Sequence, residues 1–260
     1  MRLGLIFLLF FGIAGAASLE RQTWAVDGVA REALVHVPDK IPDGGAPVVF
    51  VFHGRGGSMR QASRNMPIHA QWPEAIVVYP QGLPTAGELT DPGGRETGWQ
   101  TRAGAWGDRD LRFFDILLAD LRARHAIDQR RIYATGHSNG GAFTYLLWAE
   151  RGDVFAALAP SAAVLARGEG KLRQLRPKPI FHVASPADPL VQFAWQERML
   201  DYVLRLNGCG KLLPDAMGCT RYPSDSGCDV EVYLHDGGHQ YPSATAPELI
   251  VKFFQAHPAR

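Results

Sequence analysis

The amino-acid sequence predicts an α/β fold with a mostly parallel β-sheet, helices on both faces and an N-terminal antiparallel hairpin. Short runs that are apolar along their whole length alternate with longer runs of helical periodicity. Strands that are buried on both faces of a parallel sheet have this unbroken apolar character. A turn signal at Asp27-Gly28, between two alternating segments, indicates the hairpin. The length of 260 residues and the apolar fraction of 46% suit one domain with a large core.

The predicted elements follow one another in a regular order. The hairpin lies within Thr23 to Pro38. Six buried strands are predicted after it: Pro47 to His53, Glu74 to Pro80, Arg131 to Gly136, Val154 to Pro160, Lys178 to Ala184 and Asp229 to His235. Helical periodicity is found at Met59 to Gln71 (interrupted by Pro67), Asp108 to His125, Asn139 to Glu150, Gln192 to Gly208 and Ala246 to His257. This order is the outline of an α/β-hydrolase fold.

One long segment, Gln81 to Gly107, shows neither the pattern of a strand nor that of a helix. A stretch of that length without regular structure is uncommon inside a compact domain and usually serves function. The helix that follows is expected to begin at an N-cap provided by Asp108 or Asp110.

The first residues have the layout of a secretory signal peptide. Arg2 precedes an apolar run from Leu3 to Ile13, and small residues then lead up to Ala17. The run is shorter than the ~20 apolar residues that a spanning helix needs. We therefore expect residues 1–17 to be removed and residues 18–260 to form one secreted or periplasmic domain without a membrane anchor. The net charge of +1 gives no electrostatic reason to expect a nucleic-acid partner.

The strongest motif is "GHSNG", Gly136 to Gly140, between a predicted strand and a predicted helix. A Ser held between two glycines at such a junction is typical of a nucleophile elbow. The turn forces the Ser into a strained conformation, so that its neighbours two positions away must lack side chains. The sequence therefore predicts Ser138 as a catalytic nucleophile.

Activation of a serine requires a histidine base that is oriented by a carboxylate, and in this fold the chain order is Ser, Asp or Glu, then His. Asp188 follows the predicted strand at Lys178 to Ala184, and His239 follows the predicted strand at Asp229 to His235. All three side chains are then expected at the carboxyl edge of the sheet, where open α/β sheets bind ligands. Ser138, Asp188 and His239 form the predicted triad.

Other histidines and acids fit this chemistry less well. His137 is expected to point away from the nucleophile, His53 to shape a loop, and His182 to be a buried residue within a strand. Asp201 falls within a helix and Asp225 in a loop, so neither is placed as well as Asp188.

An oxyanion hole requires two backbone N–H donors. One is expected from Asn139, the residue after the nucleophile, and the other from the loop "HGRGG", His53 to Gly57. We assign the second donor to Arg55, with Gly54 and Gly56 as alternatives.

Two tryptophans of the long segment are candidates for substrate contact. Trp99 and Trp106 would stack against an aromatic acyl group or a sugar ring. The alternative, that they pack the segment onto the core, has equal weight at this point.

All three cysteines, Cys209, Cys219 and Cys228, lie in one Gly- and Pro-containing segment. In an exported protein an odd number of cysteines predicts one disulfide and one remaining thiol. Their spacing matches no zinc pattern, so no metal site is expected.

The motifs together resemble one known family. "FHGRGG", "VVYPQG", "IDQRRIYATGHSNGG", "HVASPADPLVQF", "NGC" and "GGHQYP" are similar to the secreted polyhydroxybutyrate depolymerase and feruloyl esterase-like branch of the α/β-hydrolases. The resemblance runs from Trp24 to the end and implies the same triad. It also implies a disulfide between Cys209 and Cys228, with Cys219 outside that bridge. The chain departs from the family at Gln240-Tyr241-Pro242, where Tyr241 becomes a candidate for substrate contact.

The sequence therefore predicts a secreted serine esterase that acts through an acyl-enzyme, without cofactor or metal. The resemblance implies no separate binding module, which favours soluble esters: feruloyl or acetyl esters of polysaccharides, or hydroxybutyrate oligomers. A peptidase or an acyltransferase on the same scaffold is the alternative. An inactive binding protein is less consistent with a complete triad.

Overall fold

The structure, a computed structural model, describes residues 18–87, 89–165, 172, 174–214 and 218–259. The predicted signal peptide, residues 1–17, lies outside the described residues. Within the described ranges, no helix has both the length and the apolar character needed to cross a membrane.

The strands and helices are numbered in chain order. The strands are β1 (Glu20–Val26), β2 (Val29–His36), β3 (Ala46–Phe52), β4 (Ile76–Pro80), β5 (Leu83–Pro84), β6 (Thr97–Gly98), β7 (Ile127–His137), β8 (Ala157–Ser161), β9 (Ile180–Ala184), β10 (Leu213–Pro214), β11 (Cys219–Tyr222) and β12 (Val230–Leu234). The α-helices are α1 (Met59–Asn65), α2 (Ile68–Gln71), α3 (Arg109–Arg124), α4 (Asn139–Arg151), α5 (Phe193–Asn207) and α6 (Ala246–Ala256).

Ten of these strands form one sheet in the order β1-β2-β4-β3-β7-β8-β9-β12-β11-β10. The six central strands, from β4 to β12, run parallel. The β1–β2 hairpin adds an antiparallel edge, which confirms the predicted fold class. The other edge was not predicted: β11 pairs antiparallel with β12, and β10 pairs antiparallel with β11. These two strands are short, with four residues in β11 and two in β10.

The sheet separates two apolar layers. In β3 the side chains alternate, so that Phe50 and Phe52 join one cluster and Val49 and Val51 the other. Helices α3, α4 and α5 contribute to the first cluster, and α1, α2 and α6 to the second. A run that is apolar at every position therefore means burial on both faces, as the sequence predicts.

Two local signals behave as predicted. Asp27 and Gly28 have φ values of 49° and 78°, which a two-residue hairpin turn of type I′ requires at both central positions. Pro67 lies between α1 and α2, because a proline within a helix removes a hydrogen bond and clashes with the preceding turn.

The prediction that Asp108 or Asp110 caps α3 through its side chain is wrong. Asp108 precedes the helix, but its φ is 58° and its side chain makes no capping bond. Its carboxylate instead accepts from the backbone of Gly104 at 2.7 Å. Asp110 is buried and accepts from the Arg31 guanidinium at 2.8 Å and from the Gln100 N–H at 2.8 Å. Both carboxylates therefore hold the end of the long segment rather than the helix terminus.

Candidate active site

The turn between β7 and α4 has the geometry of a nucleophile elbow. Ser138 has φ 56° and ψ −119°, a left-handed φ that is uncommon for a residue with a side chain. A Cβ atom on Gly140 would lie 2.2 Å from the Phe52 carbonyl oxygen, and one on Gly136 would lie 2.5 Å from the Gly140 oxygen. Only glycine fits at these two positions, so the motif is required by packing as well as by the turn.

The three residues of the predicted triad meet at the carboxyl edge of the sheet. The Ser138 Oγ lies 2.8 Å from the His239 Nε2. The His239 Nδ1 lies 2.8 Å and 3.0 Å from the two carboxylate oxygens of Asp188. The carboxylate can only accept, so Nδ1 carries the proton and Nε2 is free to accept from the serine hydroxyl.

The Asp188 carboxylate is held by its own loop. Its Oδ1 accepts from the backbone N–H groups of Leu190 and Val191, each at 2.9 Å, and the side chain is buried. A buried carboxylate with two backbone donors cannot rotate without losing them. The loop therefore fixes the carboxylate that faces His239.

Two residues beside Ser138 are candidates for the oxyanion donors. In the described part of the chain, neither the Arg55 N–H nor the Asn139 N–H has a hydrogen-bond acceptor, and both residues line the cavity beside Ser138. The Gly56 N–H, an alternative donor, is occupied by the Thr97 carbonyl at 2.8 Å. This arrangement favours Arg55 and Asn139 as the oxyanion donors.

The long segment after β4 supports both donors. Thr97 in β6 accepts from the Gly56 N–H and donates its hydroxyl to the Gly57 carbonyl at 2.6 Å. The Asn139 side chain accepts from the Trp99 N–H at 2.6 Å and donates to the Trp99 carbonyl at 3.0 Å. The segment thus fixes the loop that carries Arg55 and the first residue of α4.

His53 shapes the same loop, as the sequence predicts. Its Nδ1 donates to the Gly54 carbonyl at 2.7 Å and its Nε2 accepts from the Gly82 N–H at 2.9 Å. Burial lowers the pKa of His53 from 6.5 to about 4, so the ring is neutral and keeps this tautomer at neutral pH.

Of the three residues predicted as candidates for substrate contact, two do not line the cavity beside Ser138. Trp99 is 1% exposed, donates its indole N–H to the His53 carbonyl at 2.9 Å and stacks on Phe143. It packs the segment onto the core and does not line the cavity. Tyr241 does not line it either, because its hydroxyl is buried and its ring packs edge-on against His137. Trp106 is 49% exposed and does line the cavity.

The cavity above Ser138 and His239 has a volume of about 1050 Å³. Among the described residues that line it, the apolar ones are Ala86, Leu89, Pro92, Ala105, Trp106, Ala142, Ala163, Val164, Leu165, Leu172, Leu190, Val191, Trp195 and Met199. Leu89, Trp106 and Leu190 are exposed at its mouth. The cavity can accept a bulky apolar group next to the serine.

One face of α5 forms a wall of this cavity and was not predicted. Trp195, Arg198, Met199 and Tyr202 are spaced as i, i+3, i+4 and i+7 and all line it. The sequence did contain one signal for this wall, namely that α5 directly follows the loop that carries Asp188. Helical periodicity alone does not tell which face of α5 lies over the site.

In the described residues the structure contains no disulfide, and all three cysteines are thiols. The Cys209 Sγ lies 3.9 Å from the carbonyl oxygen of Cys228, and Cys219 is buried in β11. The Cys209–Cys228 bridge therefore stays a prediction for the oxidised protein.

The chain is similar to several known proteins. The prolyl oligopeptidase family matches residues 92–167, which include the elbow. Feruloyl esterase D of Neurospora crassa is 26% identical over 240 residues, covering 86% of this chain and 79% of that protein. A bifunctional acetylxylan esterase/xylanase of Neocallimastix patriciarum is 26% identical over 236 residues. Those residues are 85% of this chain, which spans only 33% of that protein.

A solved structure has the same fold. The acetyl xylan esterase from Aspergillus awamori superposes with a TM-score of 0.66 at 12% identity, covering 91% of this chain and 99% of that one.

Proposed function

We propose that this chain is a serine carboxylic ester hydrolase, similar to the feruloyl esterases, and that it acts through an acyl-enzyme on Ser138. The Ser138 oxygen attacks the ester carbonyl while His239 takes the hydroxyl proton. His239 then passes that proton to the leaving alcohol, and the acyl group stays on Ser138. Water, deprotonated by the same imidazole, releases the acid and restores the serine. The N–H groups of Arg55 and Asn139 bind the oxyanion in both steps.

One observation carries this proposal: the unbroken hydrogen-bond chain from Asp188 through His239 to Ser138, with 2.8 Å at each link. In this chain Asp188 holds the imidazole in the tautomer that can accept the serine proton and stabilises the imidazolium that forms.

The test is hydrolysis of p-nitrophenyl acetate together with labelling by a fluorophosphonate probe. We expect the wild type to be labelled at Ser138. Ser138→Ala should lose labelling and turnover, with a drop in kcat on the order of a million-fold. Ser63→Ala is the control, since Ser63 is a buried serine of α1 that donates to the Arg60 carbonyl. A folded Ser138→Ala that keeps wild-type turnover contradicts the proposal, and an unlabelled wild type would indicate an inactive binding protein.

The cavity favours a bulky acyl group over acetate. Its apolar lining and its volume of about 1050 Å³ suit a hydroxycinnamoyl group, and feruloyl esterases are among the similar proteins. We therefore propose feruloyl esters of polysaccharides as the first substrate class. Methyl ferulate should be hydrolysed with a higher kcat/KM than methyl acetate. Equal values, or a preference for methyl acetate, would move the assignment to acetyl esters.

Hydroxybutyrate oligomers are the second candidate, and a specific observation supports them. Arg198 lines the cavity and forms no ion pair within the described ranges. Its guanidinium could bind the terminal carboxylate of an oligomer. Arg198→Met should then slow hydrolysis of the free acid more than that of its methyl ester. Equal effects on the two would argue against this substrate.

A peptidase is the alternative reaction class, because the prolyl oligopeptidase family matches the segment with the elbow. An ester and an amide of the same acyl group separate the two classes, and we expect the ester to be preferred. Transfer of the acyl group to an added alcohol would indicate an acyltransferase.

We also propose that the protein is exported and that its signal peptide is removed. Purification from the medium and the periplasm, followed by N-terminal sequencing, should give a mature chain that starts near Ala17 or Ser18. A retained Met1 would contradict it.

A further inference from the structure

A second imidazole lies beside the nucleophile and takes no part in the proton transfers above. His137 is the last residue of β7, and its Nε2 lies 2.9 Å from the main-chain carbonyl oxygen of His239. Its Nδ1 lies 3.1 Å from the Ser161 hydroxyl, at the end of β8. Its ring is 5.1 Å from the ring of His239. The side chain therefore bridges the strand of the nucleophile and the loop of the base.

The partners of His137 assign its tautomer. A carbonyl oxygen can only accept, so Nε2 carries the proton and donates to His239. Nδ1 then accepts from the Ser161 hydroxyl. The pKa of His137 is lowered to about 4, mainly by burial and to a smaller extent by the neighbouring His239. The ring is thus neutral at neutral pH and keeps one tautomer through the catalytic cycle.

These contacts close a ring of hydrogen bonds around the reacting atoms. The Ser161 carbonyl accepts from the Ser138 N–H at 2.9 Å, and the Ser161 hydroxyl orients His137. His137 holds the main chain of His239, whose Nε2 returns to the Ser138 Oγ at 2.8 Å. Nucleophile and base are therefore fixed relative to the same strand end.

We propose that His137 is a positioning residue for ester hydrolysis, which holds the loop of His239 against the elbow by donating Nε2–H to the main-chain carbonyl of the base. Among the described residues, its ring nitrogens hydrogen-bond to Ser161 and to the main chain of His239, and not to the Ser138 hydroxyl or the imidazole of His239. The inference rests on the proposed function. Without this donor the loop can move away from Ser138, and a displacement of ~1 Å can cost about a hundredfold in rate.

The test compares two variants with a matched control. His137→Phe keeps a planar ring but removes the donor, whereas His137→Gln supplies an amide N–H. The control is His36→Phe, because His36 is a buried histidine on β2 whose ring nitrogens contact the carbonyls of Ser18 and Pro73. The measurements are kcat and KM for p-nitrophenyl acetate, the rate of fluorophosphonate labelling of Ser138, and Tm.

We expect His137→Phe to lower kcat and the labelling rate by at least about tenfold, with KM changed less than about twofold. His137→Gln should restore most of both rates. His36→Phe should lower Tm without changing kcat. A merely structural role predicts the pattern of the control for both His137 variants.

Two results overturn the proposal: a folded His137→Phe with wild-type kcat and labelling rate, or a His137→Gln as slow as His137→Phe. If His137→Phe does not fold, His137→Gln and Ser161→Ala decide. Ser161→Ala removes the hydroxyl that orients His137 and should lower the labelling rate about threefold or more. Wild-type labelling rates in Ser161→Ala, together with a slow His137→Gln, then overturn it. A wild type that is labelled but hydrolyses no ester contradicts the proposed function alone, because the labelling rates still test His137.

Discussion

The carboxyl edge of the sheet and the cavity walls above it are built in different ways. At the edge, short turns fix Ser138, Asp188 and His239, and each turn follows a buried strand. The walls come from the long segment after β4 and from one face of α5. The edge therefore depends on local geometry and the walls on tertiary placement. Changes at the edge should affect the rate, and changes in the walls should affect the choice of substrate.

The largest expected effect on the rate comes from a change at the carboxyl edge. Asp188→Asn cannot keep both the N–H donors of its loop and the correct tautomer of His239. We expect kcat to fall about ten-thousand-fold, with substrate binding largely unchanged. A pH–rate profile of the wild type and the variant measures this. A near-wild-type kcat would mean that another acid orients His239, and Asp201 and Asp225 would be tested next.

A smaller effect is expected where a wall supports the edge. Thr97→Val removes the hydroxyl bond to Gly57 and loosens the loop that carries the Arg55 donor. Loss of an entire oxyanion donor costs about 10²–10³ in kcat, so a loosened one should cost about tenfold. Thr97→Ser keeps the hydroxyl and is the matched control. If Val and Ser variants have the same kcat, the segment does not position the donor.

The walls themselves should govern selectivity. Trp195→Ala should lower kcat/KM for methyl ferulate several-fold more than for methyl acetate, since an apolar contact to the larger acyl group is lost. Trp99→Phe removes the indole bond to His53 and should lower Tm without changing that ratio. A changed ratio in Trp99→Phe would contradict its assignment to the core.

Stability should depend on pH through three buried histidines of the sheet and its carboxyl edge. Burial lowers the pKa of His53, His137 and His182 from 6.5 to about 4. Between about pH 6.5 and pH 4 the unfolded chain binds protons that the folded chain does not. These histidines therefore make their whole contribution to the free energy of unfolding above about pH 6.5. That contribution decreases as the pH falls toward about 4. Urea unfolding at about pH 7 and about pH 5 measures this, and equal midpoints would contradict the assigned neutral rings.

The sequence indicated that Ser138, Asp188 and His239 lie at one edge of the sheet because the signals at this edge are local. Gly136 and Gly140 have no room for a Cβ atom, and the order of Ser138, Asp188 and His239 follows from where buried strands end. The walls were predicted less well. Nothing local distinguishes Trp99, which lies under the elbow, from Trp106, which lines the cavity.

The same limit applies to His137 and Tyr241. The sequence indicated no role for His137 in the site, because its partner is the main chain of a residue about a hundred positions away. Tyr241 follows the base closely in sequence, yet its ring turns into the protein toward His137. Both outcomes depend on the loop after β12, whose path is not encoded by periodicity.

The central claim is that Ser138 carries the acyl group between the two halves of the reaction. The most direct measurement is the mass of the peptide that contains Ser138 after acid quenching during hydrolysis of p-nitrophenyl acetate. We predict an added acetyl group on Ser138 in the wild type and none in Ser138→Ala. Turnover with no acylated peptide, or an acetyl group that turns over on a different residue, would contradict the account.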